Sequence, residues 1–161
     1  MRKQKGFSLI ELLIVVAIIL IIAAIAVPNL LRSKMAANEA SVAASLRTMA
    51  SAQFTYYSFY NIGFPTSLAD LGPSTSPSST AADLLDAVLG SAAPTKNGYV
   101  FGYAVSNPGN TQYVVNAAPQ APGSSGVSTF CMNESNLVKK DPNGGPVPAT
   151  SVLCTAFGAP L

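Results

Sequence analysis

The 161-residue sequence predicts an α+β protein in which one long N-terminal helix, apolar in its first half and amphipathic in its second, lies over a small antiparallel β-sheet. Three observations carry this. Leu12 to Val27 are sixteen consecutive apolar residues, Asn29 to Tyr60 contains neither Pro nor Gly, and short alternating segments bounded by turn residues begin at Gly98. The length allows one domain. Hydrophobic residues make up 49% of the chain, which excludes disorder, and no internal period marks a repeat architecture. Charged residues are only 10%, against about 25% in ordinary soluble domains. His and Trp are absent, so His-based triads and His-metal sites are excluded, and no enzymatic role is expected. The nine basic residues outnumber seven acidic ones, but Arg2, Lys3 and Lys5 sit in the first five positions. The remaining Lys and Arg are scattered and form no basic face, so no nucleic-acid partner is expected.

From Phe7 to Val27 the apolar run is interrupted only by Ser8 and Glu11. Twenty-one residues make roughly 31 Å of helix, enough to cross the roughly 30 Å hydrocarbon core of a bilayer. Basic residues ahead of the run favour a cytoplasmic N-terminus, which places the chain beyond Pro28 on the far side. Two readings compete. An ordinary secretory signal would be cut after Ala26, where Ala24-Ile25-Ala26 fits an A-x-A site. Against it stands Glu11, since a carboxylate inside an apolar helix costs about 2.5–3.5 kcal/mol near its centre and is retained for function.

The run Lys5-Gly6-Phe7-Ser8-Leu9-Ile10-Glu11-Leu12-Leu13 resembles the processing site of the type IV pilin and pseudopilin superfamily. The match is specific over residues 1–35 and looser beyond. By this resemblance, residues 1–6 are a leader that a prepilin peptidase removes by cutting between Gly6 and Phe7, and the Phe7 amine is then methylated. Residues 7–28 stay on the mature chain as its transmembrane and filament-core helix, and residues 29–161 form the exported globular domain. Glu11 becomes the fifth mature residue, one turn from the Phe7 amine. Paired within a helix or between staggered neighbours, the two charges neutralise each other, and a subunit out of register would leave Glu11 unpaired. The implied fold is the pilin fold and the implied role is structural. Homo-oligomeric assembly gives a helical filament on an inner-membrane assembly platform, from a single-pass inner-membrane precursor to an extracellular pilus. A periplasmic pseudopilus subunit of a type II secretion system is the alternative, and a membrane-tethered adhesin or binding domain is a further one. No cofactor or metal is implied.

Pro28 lacks an N–H and crowds the Ala24 carbonyl, so the helix must end or kink there. Helical spacing at Leu31, Met35, Val42, Leu46, Met49 and Tyr57 argues that it resumes over residues 29–61, with Arg32, Lys34, Asn38, Glu39, Ser45, Arg47 and Ser51 off the apolar stripe. Pilin-like proteins carry a proline at this distance from the cleavage site. Six aromatics from Phe54 to Phe64 fit core and subunit-interface packing. Residues 62–97 read as a loop with two short helices. One falls near Thr66–Gly72, and the other spans Thr80–Leu89, with Thr80 and Asp83 as a capping box and Gly90 as the stop. Between them Gly72–Ser79 is a polar exposed loop whose hydroxyls could accept sugars.

Residues 98–161 carry the sheet. Tyr99, Phe101, Tyr103 and Val105 alternate onto one face, Asn107-Pro108-Gly109-Asn110 turns, and Gln112–Ala117 returns. Thr129–Met132 and Asn136–Lys139 read as third and fourth strands. Cys131 and Cys154 most simply form one disulfide, closing a Pro-rich surface loop, with free or metal-binding thiols as the rival. Asp141 and Asn143 begin like a calcium loop that lacks an acid at its twelfth position, and Asn133-Glu134-Ser135 fits an N-glycosylation triplet.

Overall fold

The computed structural model describes residues 6–106 and 109–161. Arg2, Lys3 and Lys5, with Asn107 and Pro108 of the predicted turn, lie outside the described residues. The chain forms two units, residues 1–34 and 35–161, and each is described by itself. A first helix, α1, spans Leu9–Tyr60 and enters both.

In the first unit the helix begins after Ser8 and continues through Pro28. The large apolar side chains from Leu9 to Leu31 are all exposed. The helix is long and apolar enough to cross a membrane, and none of its most apolar stretch is buried within the molecule. Next to Pro28, the Asn29 side-chain amide donates to the Ile25 carbonyl at 3.1 Å.

In the second unit α1 lies on a six-stranded antiparallel sheet: β1 (Thr95–Lys96), β2 (Tyr99–Ser106), β3 (Gln112–Pro119), β4 (Thr129–Asn133), β5 (Lys139–Asp141) and β6 (Ala159–Pro160), in sequential order. The register sets Phe101 opposite Ala117, Tyr103 opposite Val115, and Ala117 opposite Phe130. One face therefore carries Tyr99, Phe101, Tyr113, Val115, Phe130 and Met132, all buried in one cluster with Val42, Leu46, Met49 and Tyr56 of α1. Tyr56 faces this core, whereas Tyr57, predicted on the apolar stripe, is 39% exposed, and Ser45, predicted off it, is buried. Burial pushes the Tyr103 and Tyr113 hydroxyls well above the ordinary phenol range.

The opposite face has its own cover. A second helix, α2 (Ser151–Ala156), capped by the Thr150 hydroxyl, packs there, and Cys154 joins Cys131 and Val114 in a second cluster. This is why every β4 residue is buried. The disulfide Cys131–Cys154 forms as expected. Breaking it with the pair Cys131→Ser and Cys154→Ser is expected to cost about 3 kcal/mol, read as a lower melting temperature that reductant no longer changes.

Four expectations need correction. The long helix stops at Tyr60 rather than running through residue 61, because Asn61 takes the left-handed conformation (φ 52°) that closes helices. The strand expected at Asn136–Lys139 lies instead at Lys139–Asp141, as β5, since Asn136 is in a left-handed turn (φ 60°). The first short helix is a 3-10 turn at Leu68–Leu71, opened by a capping box between Ser67 and Asp70 and ended at Gly72. Thr80–Leu89 is not helical. The backbone N–H groups of Ala82, Asp83, Leu84 and Leu85 donate to carbonyls of Asp70, Gly72 and Leu71 instead of to their own preceding turn. The Thr80 hydroxyl pairs with Ser78, and the Asp83 carboxylate turns to the Ser74 N–H. Gly72 and Gly90 allow this stapling: a Cβ on Gly90 would lie 2.5 Å from the Gly72 Cα.

Candidate functional site

The predicted site residues fall in three separate places. Gly6 and Phe7 precede the helix, and the space around Gly6 is open, so the bond between them is outside helical structure and accessible. Phe7 is 79% exposed. Two residues on, the chain enters α1 with Ser8 as its N-cap: the Ser8 carbonyl accepts from the Leu12 N–H at 3.2 Å. Glu11 sits three residues beyond the cap, and its Oε2 accepts from the Ser8 backbone N–H at 2.9 Å. This is the returning half of a capping box. Ser8-Leu9-Ile10-Glu11 has the S-x-x-E spacing of that motif, so the sequence carries a signal for this role besides the charge of Glu11. A carboxylate at a helix N-terminus also faces the positive end of the helix dipole. Glu11 is thus oriented toward the N-terminal end of the helix within its own chain.

Pro28 lies farther along the same helix. Cys131 and Cys154 form a covalent bridge deep in the second unit and have no part in the N-terminal site.

A second cluster of charge was unmarked by any motif. Glu39 on α1 accepts from the Val127 and Ser128 N–H groups and the Ser128 hydroxyl, each at 3.1 Å, and from Lys140 Nζ at 2.9 Å. Partial burial opposes its ionisation, but the bonds from Lys140, Ser128 and Val127 prevail and hold its pKa down at about 2. Asn38 reinforces the staple by donating to the Ser125 carbonyl at 2.7 Å. The cluster fixes the loop between β3 and β4 onto the helix.

Two surface motifs change meaning. The Asn133 side-chain amide is buried and donates to the Ser151 carbonyl, the Ser151 hydroxyl and the Thr155 hydroxyl, so the triplet presents no free acceptor for a sugar. The Asp141 carboxylate accepts from the Asn143 and Gly145 N–H groups, which makes it a turn-former. Among the described residues, no three Cys, Asp or Glu side chains converge as a metal site would require.

Residues 1–27 match the family model for the prokaryotic N-terminal methylation motif. The chain is similar to the type IV wide pilus major component of Thermus thermophilus, with 52% identity over 56 residues, covering 35% of this chain and 43% of that protein. It is 41% identical over 56 residues to the type IV major pilin protein of Myxococcus xanthus, covering 35% of this chain and 26% of that one. It is 32% identical over 71 residues to the type II secretion system core protein G of Dickeya chrysanthemi, covering 44% and 46%. The chain spans less than half the length of each of these relatives in the match. No solved structure matches the chain significantly.

Proposed function

Because its N-terminal segment is that of the type IV pilin and type II secretion pseudopilin superfamily, we propose that the chain is a structural subunit of a type IV pilus, processed between Gly6 and Phe7 and assembled non-covalently into a helical filament. The observation that carries this reading is Glu11, a carboxylate one turn from the new Phe7 amine at the head of a helix that is otherwise apolar as far as Val27. Before cleavage, Arg2, Lys3 and Lys5 orient the precursor in the inner membrane. After it, six basic side chains face seven acidic ones, and the cytoplasmic end of the span carries no basic side chain.

Prepilin peptidase makes the cut and methylates Phe7, and an inner-membrane assembly platform receives the product. The exposed apolar helix then exchanges lipid for neighbouring copies, while Glu11 meets an ammonium group that keeps its charge on methylation. The filament lies outside the cell.

A pseudopilus subunit is the second reading, favoured by the match to the core secretion protein, which runs over 71 residues, longer than either pilin match. Electron microscopy of cells with and without this chain separates the readings. Long surface filaments that vanish with the chain support the pilus. An unchanged cell surface together with lost protein secretion selects the pseudopilus.

A further inference from the structure

The sequence holds two Asn-Gly pairs, Asn97-Gly98 and Asn143-Gly144, and the fold treats them differently. In an Asn-Gly pair the side-chain amide is open to attack by the next backbone nitrogen, because glycine has no Cβ to block the approach. The reaction needs an amide group free to swing toward that nitrogen and a backbone free to bend around it.

Neither condition holds at Asn97. It and Gly98 are the two corner residues of the turn that pairs β1 with β2, with left-handed φ of 51° and 74°. The Asn97 side-chain amide donates to the Ser41 hydroxyl on α1, and the Gly98 carbonyl accepts from the Gln120 N–H at 2.8 Å. A Cβ on Gly98 would lie 2.6 Å from the Ser125 Cβ. Side chain and backbone are both tied down.

Asn143 is placed otherwise. It is exposed and occupies the third position of the turn Asp141-Pro142-Asn143-Gly144. Its backbone N–H donates to Asp141 Oδ1 at 2.9 Å, but its side-chain amide has no partner among the described residues. The Gly144 N–H, the group that must react, is held only by the Asp141 carbonyl at 3.4 Å, beyond the ordinary range of a hydrogen bond. Glycine is also required at 144, where φ is 72° and a Cβ would lie 2.5 Å from the Val127 carbonyl oxygen. The fold therefore keeps the reactive pair while leaving its amide unguarded.

We infer that Asn143 is a site of spontaneous, enzyme-free deamidation. Hydroxide from solution removes the Gly144 N–H proton, and the nitrogen attacks Asn143 Cγ. The bond from Cγ to the side-chain NH2 then breaks, and ammonia leaves with a proton taken from water, so that a succinimide ring remains. Water opens the ring at either carbonyl, giving aspartate or isoaspartate. No electrons are transferred, and water is the only reagent consumed. Each event adds one negative charge to the loop. The isoaspartate product also adds a backbone methylene between Asp141 and Gly145, whose N–H donates to Asp141 Oδ2 at 3.1 Å and whose carbonyl accepts from the Thr129 hydroxyl at 3.0 Å. Those bonds tie the loop to β4, so the change loosens the chain with age at that tie.

Storage of the chain, purified in detergent, in mildly alkaline buffer tests this by peptide mass analysis over time, with a reduced and denatured sample as control. In the folded chain the Asn143 peptide is expected to gain the mass of an NH2-to-OH exchange and to split into two products, faster at higher pH. Its rate should exceed that of the Asn97 peptide by about tenfold or more. In the denatured control the Asn97 peptide should catch up to within about threefold, since the fold no longer holds its amide. Asn143→Gln, whose longer side chain closes a ring less readily, should abolish the shift in that peptide. Equal rates at the two sites in the folded chain, or an Asn143 peptide that stays unmodified while the denatured control reacts, would overturn the assignment.

Discussion

Glu39→Ala is expected to destabilise the second unit by about 3 kcal/mol, because it takes a partly buried carboxylate away from four donors, the Val127 and Ser128 N–H groups, the Ser128 hydroxyl and Lys140 Nζ. For a unit of this size that lowers the melting temperature by about 10 °C. The loss has a distinctive pH dependence. The folded Glu39 carboxyl titrates at about 2 against an ordinary value of 4.5, so its contribution is complete above about pH 4.5 and disappears as pH falls toward 2. Thermal melts of wild type and variant between pH 2 and 7 should converge at the acid end. A gap as wide at pH 2 as at pH 7 would mean that lost packing, and not the charge, had been measured.

The second large effect is on assembly. Glu11 has two roles that separate by substitution: its carboxylate caps Ser8 within the subunit and, by proposal, neutralises an amine at register. Glu11→Ala removes both. Glu11→Gln keeps an acceptor for the Ser8 N–H and loses only the charge. An ammonium left unpaired in an apolar filament core costs several kcal/mol, so both variants should reduce filament yield by more than about tenfold. Filaments at wild-type level from Glu11→Gln alone would assign the residue to capping and remove the register argument.

How far the sequence reaches can be judged from particular residues. The long helix, the order of the main strands and the pairing of Cys131 with Cys154 follow from patterns of one local period or from simple counting. The Thr80–Leu89 segment misleads because its helical composition is overridden by carbonyls of the 3-10 turn, a tertiary choice invisible to periodicity. The second helix hides inside the Pro-rich tail, where six residues are too few to show a period, though Thr150 gives a fair cap signal. At the site, Glu11 stands out as a charge in an apolar run, and its capping partner is readable from spacing once Ser8 is read as a cap. Glu39 stands out in nothing: its partners lie 88 to 101 residues away, and only the fold assembles them.

All of the functional account depends on where the mature chain begins. Intact-mass and N-terminal peptide analysis of the protein recovered from membranes tests this most directly. The account predicts a chain starting at N-methylated Phe7. A chain starting at Val27, or one retaining residues 1–6, would contradict it.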